Sequence, residues 1–297
     1  MEKIMLVLGG GGAKGLAHIG VVKVLERLGI SISEYAGTSA GAIVAAMAAS
    51  GMKADEIERV GLAIRQSDIF DFNYTGLLKG PSRINGLCKG ENLRKLIKRV
   101  IPVNRFDELQ KPLFLSSFNI GSGETIFWGT DAYRDVSLHD AIYASCAIPG
   151  IFPPQKIGDA YYIDGGVADN LPLQMAKIRN HDLIIAVKLS CRRLTKGDDI
   201  MKGGILSLME QFYDIKNREL SEYRRQDQVE TPLILIEPEV EDHWLFKVHR
   251  TQELIRRGED KAFTMLKSYP EFNKEQRKRV QIDEVVPYPA PSFSLTV

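Results

Sequence analysis

The residues that suggest chemistry first are Gly37-Thr38-Ser39-Ala40-Gly41, set between a short apolar segment, Ile32 to Ala36, and a helix-like run, Ala42 to Ser50. A serine with glycine two positions before and after it, at a strand-to-helix junction, has the spacing of a nucleophile elbow. The reason is steric: a sharp turn projects the hydroxyl out of the fold, and only very small neighbours let backbone and substrate approach it. The helix that follows aims its positive dipole end at the serine, which favours negative charge developing there. A glycine-rich turn capped by Ser39 explains the same five residues without chemistry.

A second stretch, Gly9-Gly10-Gly11-Gly12-Ala13-Lys14-Gly15, follows the apolar run Ile4 to Leu8. Gly10-x-Gly12-x-x-Gly15 fits a dinucleotide fingerprint, in which a helix N-terminus receives a pyrophosphate and an acid, here Glu34, takes the ribose. A P-loop is excluded, because Lys14 is followed by Gly15-Leu16 and supplies no Ser or Thr for magnesium. In the third reading the glycine N–H groups face the oxygen of a tetrahedral acyl-transfer intermediate. Ser39 favours that one.

A serine hydroxyl needs a base to become a nucleophile. The histidines are His18, His139, His181, His243 and His249. His181, His243 or His249 would complete a triad in the order serine, acid, histidine, although that fold builds several strands before its elbow. The other option is a dyad in which Asp164 acts directly on Ser39. Asp164 ends a strand-like stretch, Lys156 to Ile163, and is followed by Gly165-Gly166. Ligand and catalytic groups in open α/β sheets cluster at the carboxyl ends of strands. An Asp-Gly-Gly turn held by local hydrogen bonding is the bland alternative.

The elements that position these residues begin with Ile4 to Leu8, a continuous apolar run that suits a buried parallel strand. Ile19, Val22, Leu25 and Leu28 then mark a helix stopped by Gly29. Two strand–helix units in the first fifty residues imply a parallel sheet with crossover helices. Residues 53 to 64 read as helix, 66 to 89 as a long aromatic-bearing loop, and Glu91 to Val100 as a basic amphipathic helix. Leu113 to Ile120 and Thr125 to Trp128 form a hairpin. Leu138 to Ala147 is a short helix before Pro149, and Gly150 to Pro154 is a stiff apolar turn suited to lining a pocket. Leu183 to Leu189 and Leu233 to Ile236 read as strands. Ile205 to Arg225 and Leu245 to Leu266 read as helices, and Ser292 to Val297 ends an extended tail.

Taken together, the motifs resemble those of the patatin-like phospholipases, specifically the bacterial group. The resemblance rests on Gly10-Gly11-Gly12-Ala13-Lys14-Gly15, on Gly37-Thr38-Ser39-Ala40-Gly41 and on Asp164-Gly165-Gly166. Ala144 to Pro153 is similar to the family's block upstream of the acid, and Asn170-Leu171-Pro172 to the segment after it. The resemblance implies a three-layer α/β/α fold with a mostly parallel sheet, and a lipid acyl hydrolase with Ser39 as nucleophile and Asp164 as base. It implies an oxyanion hole from the N–H groups of Gly10, Gly11 and Gly12, motif support from Gly15, Gly37, Gly41, Gly165 and Gly166, and no metal or cofactor. Lys14 stands where the family has a basic residue, either structural or an attractor of an anionic head group. A short-chain carboxylesterase or lysophospholipase would use the same mechanism. A regulatory protein with vestigial activity is the rival from another class, against which the intact motifs argue.

Composition sets the outer bounds. The chain has 297 residues, 44% hydrophobic and 26% charged, as in soluble globular proteins. One domain over 1–297 is expected, with the motifs in 3–190, a helical part at 200–280 and the tail at 285–297. A net charge of +1 offers no argument for nucleic acid. Cys88, Cys146 and Cys191 are an odd, widely spaced set, which suits a reducing cytosol rather than a disulfide framework. Ala40 to Met52 is too short to span a membrane. A lipid or ester substrate is therefore expected in the cytoplasm, with any membrane contact peripheral, through the 66–89 loop or the tail.

Overall fold

The structure, a computed structural model, describes residues 3–78, 85–189, 197–205, 207–209, 211–212, 215–216, 231–240 and 247–267. Cys191, His243, the tail and the part of the Ile205 to Arg225 helix beyond 216 lie outside them. The described residues from 204 to 216 are helical, as the periodicity predicts.

The sheet is mixed and mostly parallel. β1 (Ile4–Leu8) pairs in parallel with β2 (Glu34–Gly37) on one side and β7 (Leu183–Val187) on the other. β2 continues in parallel to β3 (Leu113–Asn119), and β7 to β8 (Leu233–Ile236). β4 (Glu124–Trp128) and β6 (Ala160–Asp164) join β3 antiparallel, and β5 (Gln155–Ile157) joins β6. The run read from sequence as one strand ending at Asp164 is thus a hairpin, β5–β6, turned at Gly158, whose φ of 59° suits glycine.

Alternation along β1 divides the core in two. Ile4, Leu6 and Leu8 face a large cluster, while Met5 and Val7 face a small one. The large cluster is built by α1 (Ala17–Arg27), α2 (Ala40–Ala49), α3 (Ala54–Ala63), α4 (Glu91–Val100), α5 (Leu138–Cys146) and α6 (Thr251–Lys267). The small cluster is covered by the short helix Leu173–Ile178, through Met175 and Ala176. These are the layers on the two sides of the sheet.

Two expectations shift at their edges. The 66–89 loop contains helical turns at Gln66–Ile69 and Tyr74–Leu78, and is pinned by bridges Phe72–Cys88 and Gly86–Gly150. The last helix begins at Thr251, after Arg250 at a φ of 55°. Its apolar stripe was legible, but its start is set by that backbone turn.

α6 lies across α1 at a crossing made by two glycines. A methyl group on Gly20 would stand 1.9 Å from the Ile255 carbonyl oxygen, and one on Gly258 would stand 1.9 Å from that of Ala17. Alanine raises helix propensity by about 1 kcal/mol over glycine, yet here it overpacks the crossing, which costs about 1–3 kcal/mol. Gly258→Ala is therefore expected to lower the urea midpoint with an unchanged slope. A raised midpoint would mean the helices do not cross this closely.

Candidate active site

The sheet register brings the serine and the acid together. β4 occupies one edge of β3 from Leu115 to Asn119, so β2 and β6 must share the other. β2 rises along it to Gly37, opposite Leu115, and β6 descends to Asp164, opposite Ser117. The two strands meet end to end, and Ser39 and Asp164 sit at the gap. Asp164 does end its strand, but that strand is antiparallel to β3. The general preference for carboxyl ends found the residue, and the shared edge explains it.

Ser39 is the backbone outlier of the site, with φ 54° and ψ −124°. A positive φ is costly for a serine and persists only where the surroundings impose it. They do so from three sides. The Thr38 N–H donates to Leu8 O at 3.1 Å, Gly41 N to Thr38 O at 2.9 Å, and Ser39 N to Ser145 Oγ at 3.0 Å. Thr38 Oγ1 lies 2.6 Å from Ser116 Oγ. A methyl group on Gly41 would be 2.2 Å from Leu8 O, so no side chain fits where the elbow passes β1. A methyl group on Gly37 would likewise stand 2.7 Å from Ala42 Cα.

The glycine loop is folded over the elbow. A side chain on Gly10 would meet Ser39 Cβ at 3.2 Å and Asn170 Oδ1 at 2.4 Å, and one on Gly15 would meet Ala40 Cβ at 2.4 Å. Gly10 N donates to Asn170 O at 2.9 Å, and Asn170 Nδ2 donates back to Gly10 O at 3.0 Å. That pair removes Gly10 from the N–H groups open to a substrate. Among the described residues, no backbone carbonyl takes the N–H of Gly11 or Gly12. Lys14 is buried at 2% exposure, so of its two sequence readings the structural one fits its position.

Asp164 is 2% exposed. Its carboxylate accepts from Gly166 N at 2.7 Å, and the Ser39 hydroxyl stands near it. Burial raises its pKa to about 6, against the opposing pull of the Ser39 hydroxyl, the Gly166 N–H and the Lys216 charge. Gly165 packs on Ser116, which leaves no room for a side chain there. The Cys146 thiol lies near enough to Asp164 for the carboxylate's charge to add to burial in raising it.

The histidines are placed elsewhere. His18 Nε2 stands 2.7 Å from Gly9 O and must donate to it. Burial lowers its pKa to about 4. His181 joins Glu34 and Arg179, at the start of β2 rather than beyond its end. That ion cluster also takes away the acid a dinucleotide site would need. His139 meets Ile101 O, and His249 meets Lys247 O. Among the described residues no triad forms, and no cluster of metal-ligating side chains occurs.

A cavity of about 110 Å³ opens beside Ser39. Leu16, just before α1, and the helices α1, α2, α3 and α4 wall it, the latter through residues such as Ile19, Ile43, Met47, Gly61 and Leu96. Phe70 of the 66–89 segment and Phe152 of the apolar turn complete it, with their rings stacked 5.8 Å apart. Apart from the Ser39 hydroxyl and the Cys146 thiol, its lining side chains are apolar. Ser145, Asn170 and Lys216 are supporting residues that sequence reasoning missed. Ser145 and Asn170 lay within stretches that drew notice, whereas Lys216 carried no signal.

The pair Asp164 and His18 sets opposing slopes in stability. A carboxyl raised from 3.8 to about 6 binds its proton more tightly folded than unfolded, so stability falls as pH rises through that window. A histidine lowered from 6.5 to about 4 does the reverse, and stability rises with pH between those values. From about pH 4 to 6 the two nearly cancel. Asp164→Asn is expected to unmask the histidine slope, giving about 1.4 kcal/mol per pH unit there, read from urea unfolding at half-unit steps. A wild-type slope equal to the variant's would show that Asp164 does not carry a raised pKa.

The model of the family described as "Patatin-like phospholipase" matches residues 6–177. Among curated proteins, an uncharacterized NTE family protein of Mycobacterium tuberculosis is 34% identical over 185 residues, covering 62% of this chain and 30% of that protein. The uncharacterized protein YqhO of Bacillus subtilis is 34% identical over 206 residues, covering 63% and 71%. Lysophospholipase NTE1 of Debaryomyces hansenii is 30% identical over 186 residues, covering 63% and 12%. The chain thus spans a third or less of the mycobacterial and yeast proteins. VipD from Legionella pneumophila has a similar fold, with a TM-score of 0.56 at 17% identity over 90% of this chain and 67% of that one. The chain belongs to the patatin-like phospholipase family.

Proposed function

We propose that this member of the patatin-like phospholipases hydrolyses acyl esters of lipids through a dyad of Ser39 and Asp164. The observation that carries the reading is a strained serine set beside a buried carboxylate whose pKa burial raises to about 6. A solvated aspartate titrates at about 3.9 and is a poor base near neutrality. Burial moves Asp164 to where it is still ionised at pH 7 and basic enough to take a proton.

In this reading Ser39 Oγ attacks the ester carbonyl as its proton passes to Asp164. Charge develops on the carbonyl oxygen beside the N–H groups of Gly11 and Gly12 and the start of α2. Asp164 returns the proton to the departing alcohol, and water then releases the acyl group by the reverse sequence. Ser145 and Asn170 hold the elbow and the loop rather than take part. The apolar cavity receives the acyl chain. Its volume is that of about four waters, so it houses the carbons nearest the carbonyl. The yeast relative is named a lysophospholipase, which is consistent with a lipid ester substrate.

The carboxylesterase reading differs only in chain length, and a variant of the cavity tests it. Ile43 lines the cavity and is partly exposed, so Ile43→Trp is expected to fill it. With p-nitrophenyl esters, kcat/KM for octanoate is expected to fall about tenfold or more, against little change for acetate. Equal losses on both would place the acyl chain elsewhere.

Fluorophosphonate labelling tests the dyad. Wild type is expected to label and Ser39→Ala to remain unlabelled, with Asp164→Asn slowed by at least a hundredfold, the lower range for general-base assistance. Because the ionised carboxylate is the base, the wild-type rate should climb through about pH 6. Labelling of Ser39→Ala at the wild-type rate would move the nucleophile elsewhere.

A further inference from the structure

Lys216 lies beyond the residues that the family model matches, yet it reaches the turn that carries the acid. Its ammonium donates to the carbonyls of Gly166 and Val167. Those carbonyls close the short helical turn Gly165–Val167, which Asp164 caps by accepting from Gly166 N. The turn is therefore held at both ends, by a carboxylate on its N–H side and an ammonium on its carbonyl side. Each arrangement is favourable for the peptide dipoles between them. The helical residues that lead to Lys216 also pack on the site, since Met209 lies against Gly150.

We propose that Lys216 is a positioning residue for Asp164: it fixes the turn behind the carboxylate and supplies the positive charge that keeps it ionised. The proposal rests on the reading of Asp164 as the base. The groups facing that carboxylate are the Ser39 hydroxyl from the start of α2, the Gly166 N–H of the turn, the Cys146 thiol of α5 and Lys216 itself. Of these, Lys216 alone brings a positive charge. Its effect on Asp164 is to lower the pKa, against the larger upward push of burial. Lys216 is the smallest of the four influences on Asp164, so its loss is expected to move the carboxyl by about one unit, the low end for a nearby opposite charge. Without it, the fraction of base at pH 6 would fall about fivefold, while at pH 8 it would hardly change.

The test uses the full chain and two readouts. Carbon-13 NMR of aspartate-labelled protein follows the Asp164 carboxyl, assigned by its loss in Asp164→Asn. The pH profile of kcat/KM on a soluble ester follows its use. Lys216→Met is expected to titrate about one unit above wild type, losing about fivefold in kcat/KM at pH 6 and little at pH 8. Lys216→Arg, which keeps the charge, is expected to stay close to wild type in both. A folded Lys216→Met whose Asp164 titrates at the wild-type pH overturns the proposal, as does a loss in kcat/KM equal at pH 6 and pH 8. If Lys216→Met does not fold, Lys216→Gln faces the same criteria, since it retains a donor without the charge. Should wild type hydrolyse no ester, the hydrolase reading fails, and the carboxyl titration alone still decides for or against Lys216.

Discussion

The constraint on which the site depends is the backbone of Ser39. A serine at φ 54° would relax to the ordinary extended or helical region if the chain let it. It is held by hydrogen bonds to three other segments: β1 through Leu8, α5 through Ser145, and β3 through Ser116 by way of Thr38. The elbow can therefore form only once the sheet is assembled around it. Gly41 carries the same message, because any side chain there would displace β1. The strain is confined to one residue, and the rigid, alanine-rich α2 that follows absorbs none of it.

Asp164 represents a second cost of the same kind. Raising its pKa from 3.8 to about 6 means that at neutral pH holding the carboxylate ionised costs the folded state about 3 kcal/mol relative to the unfolded chain. The Ser39 hydroxyl and the Gly166 N–H reduce that cost but do not remove it. More donors would stabilise the fold and lower the pKa toward that of a free carboxyl; fewer would leave the carboxyl protonated near neutrality. The balance of burial, these two groups and one ammonium leaves the carboxyl ionised at pH 7 with a raised pKa. Burial of His18 imposes the opposite pH dependence, so the site's two large titration effects partly compensate.

What could be read from the sequence was governed by how local its cause is. Gly37, Gly41 and Gly15 were legible because close approach forbids any other residue, and such a requirement shows as a motif at fixed spacing. The strands β1 and β7 were legible because burial on both faces leaves continuous apolar runs. The β5–β6 hairpin was not, because its turn is short and its two arms share one alternating pattern across Gly158. The exclusion of Gly10 from the open N–H groups was also hidden. It follows from Asn170, 160 residues away in the chain, whose contact is set by tertiary packing alone. Ser145 and Lys216 are of the same sort: a serine in an apolar helix and a lysine among many, each made significant by what the fold brings against it.

The unequal layers explain why a cavity can exist where it does. On the face covered by Leu173–Ile178 the core is the smaller of the two clusters. On the other face α1, α3 and α5 pack on α2, and that helix is apolar nearly all round. A helix of alanines contributes little volume, so the side chains of α1, α3 and α4 that wall the cavity with it cannot fill the space at the elbow completely. The same small residues that let the glycine loop lie on Ser39 thus also leave the gap beside it. Close approach of backbone at the serine and open space for an apolar group next to it are two consequences of one choice of residue size.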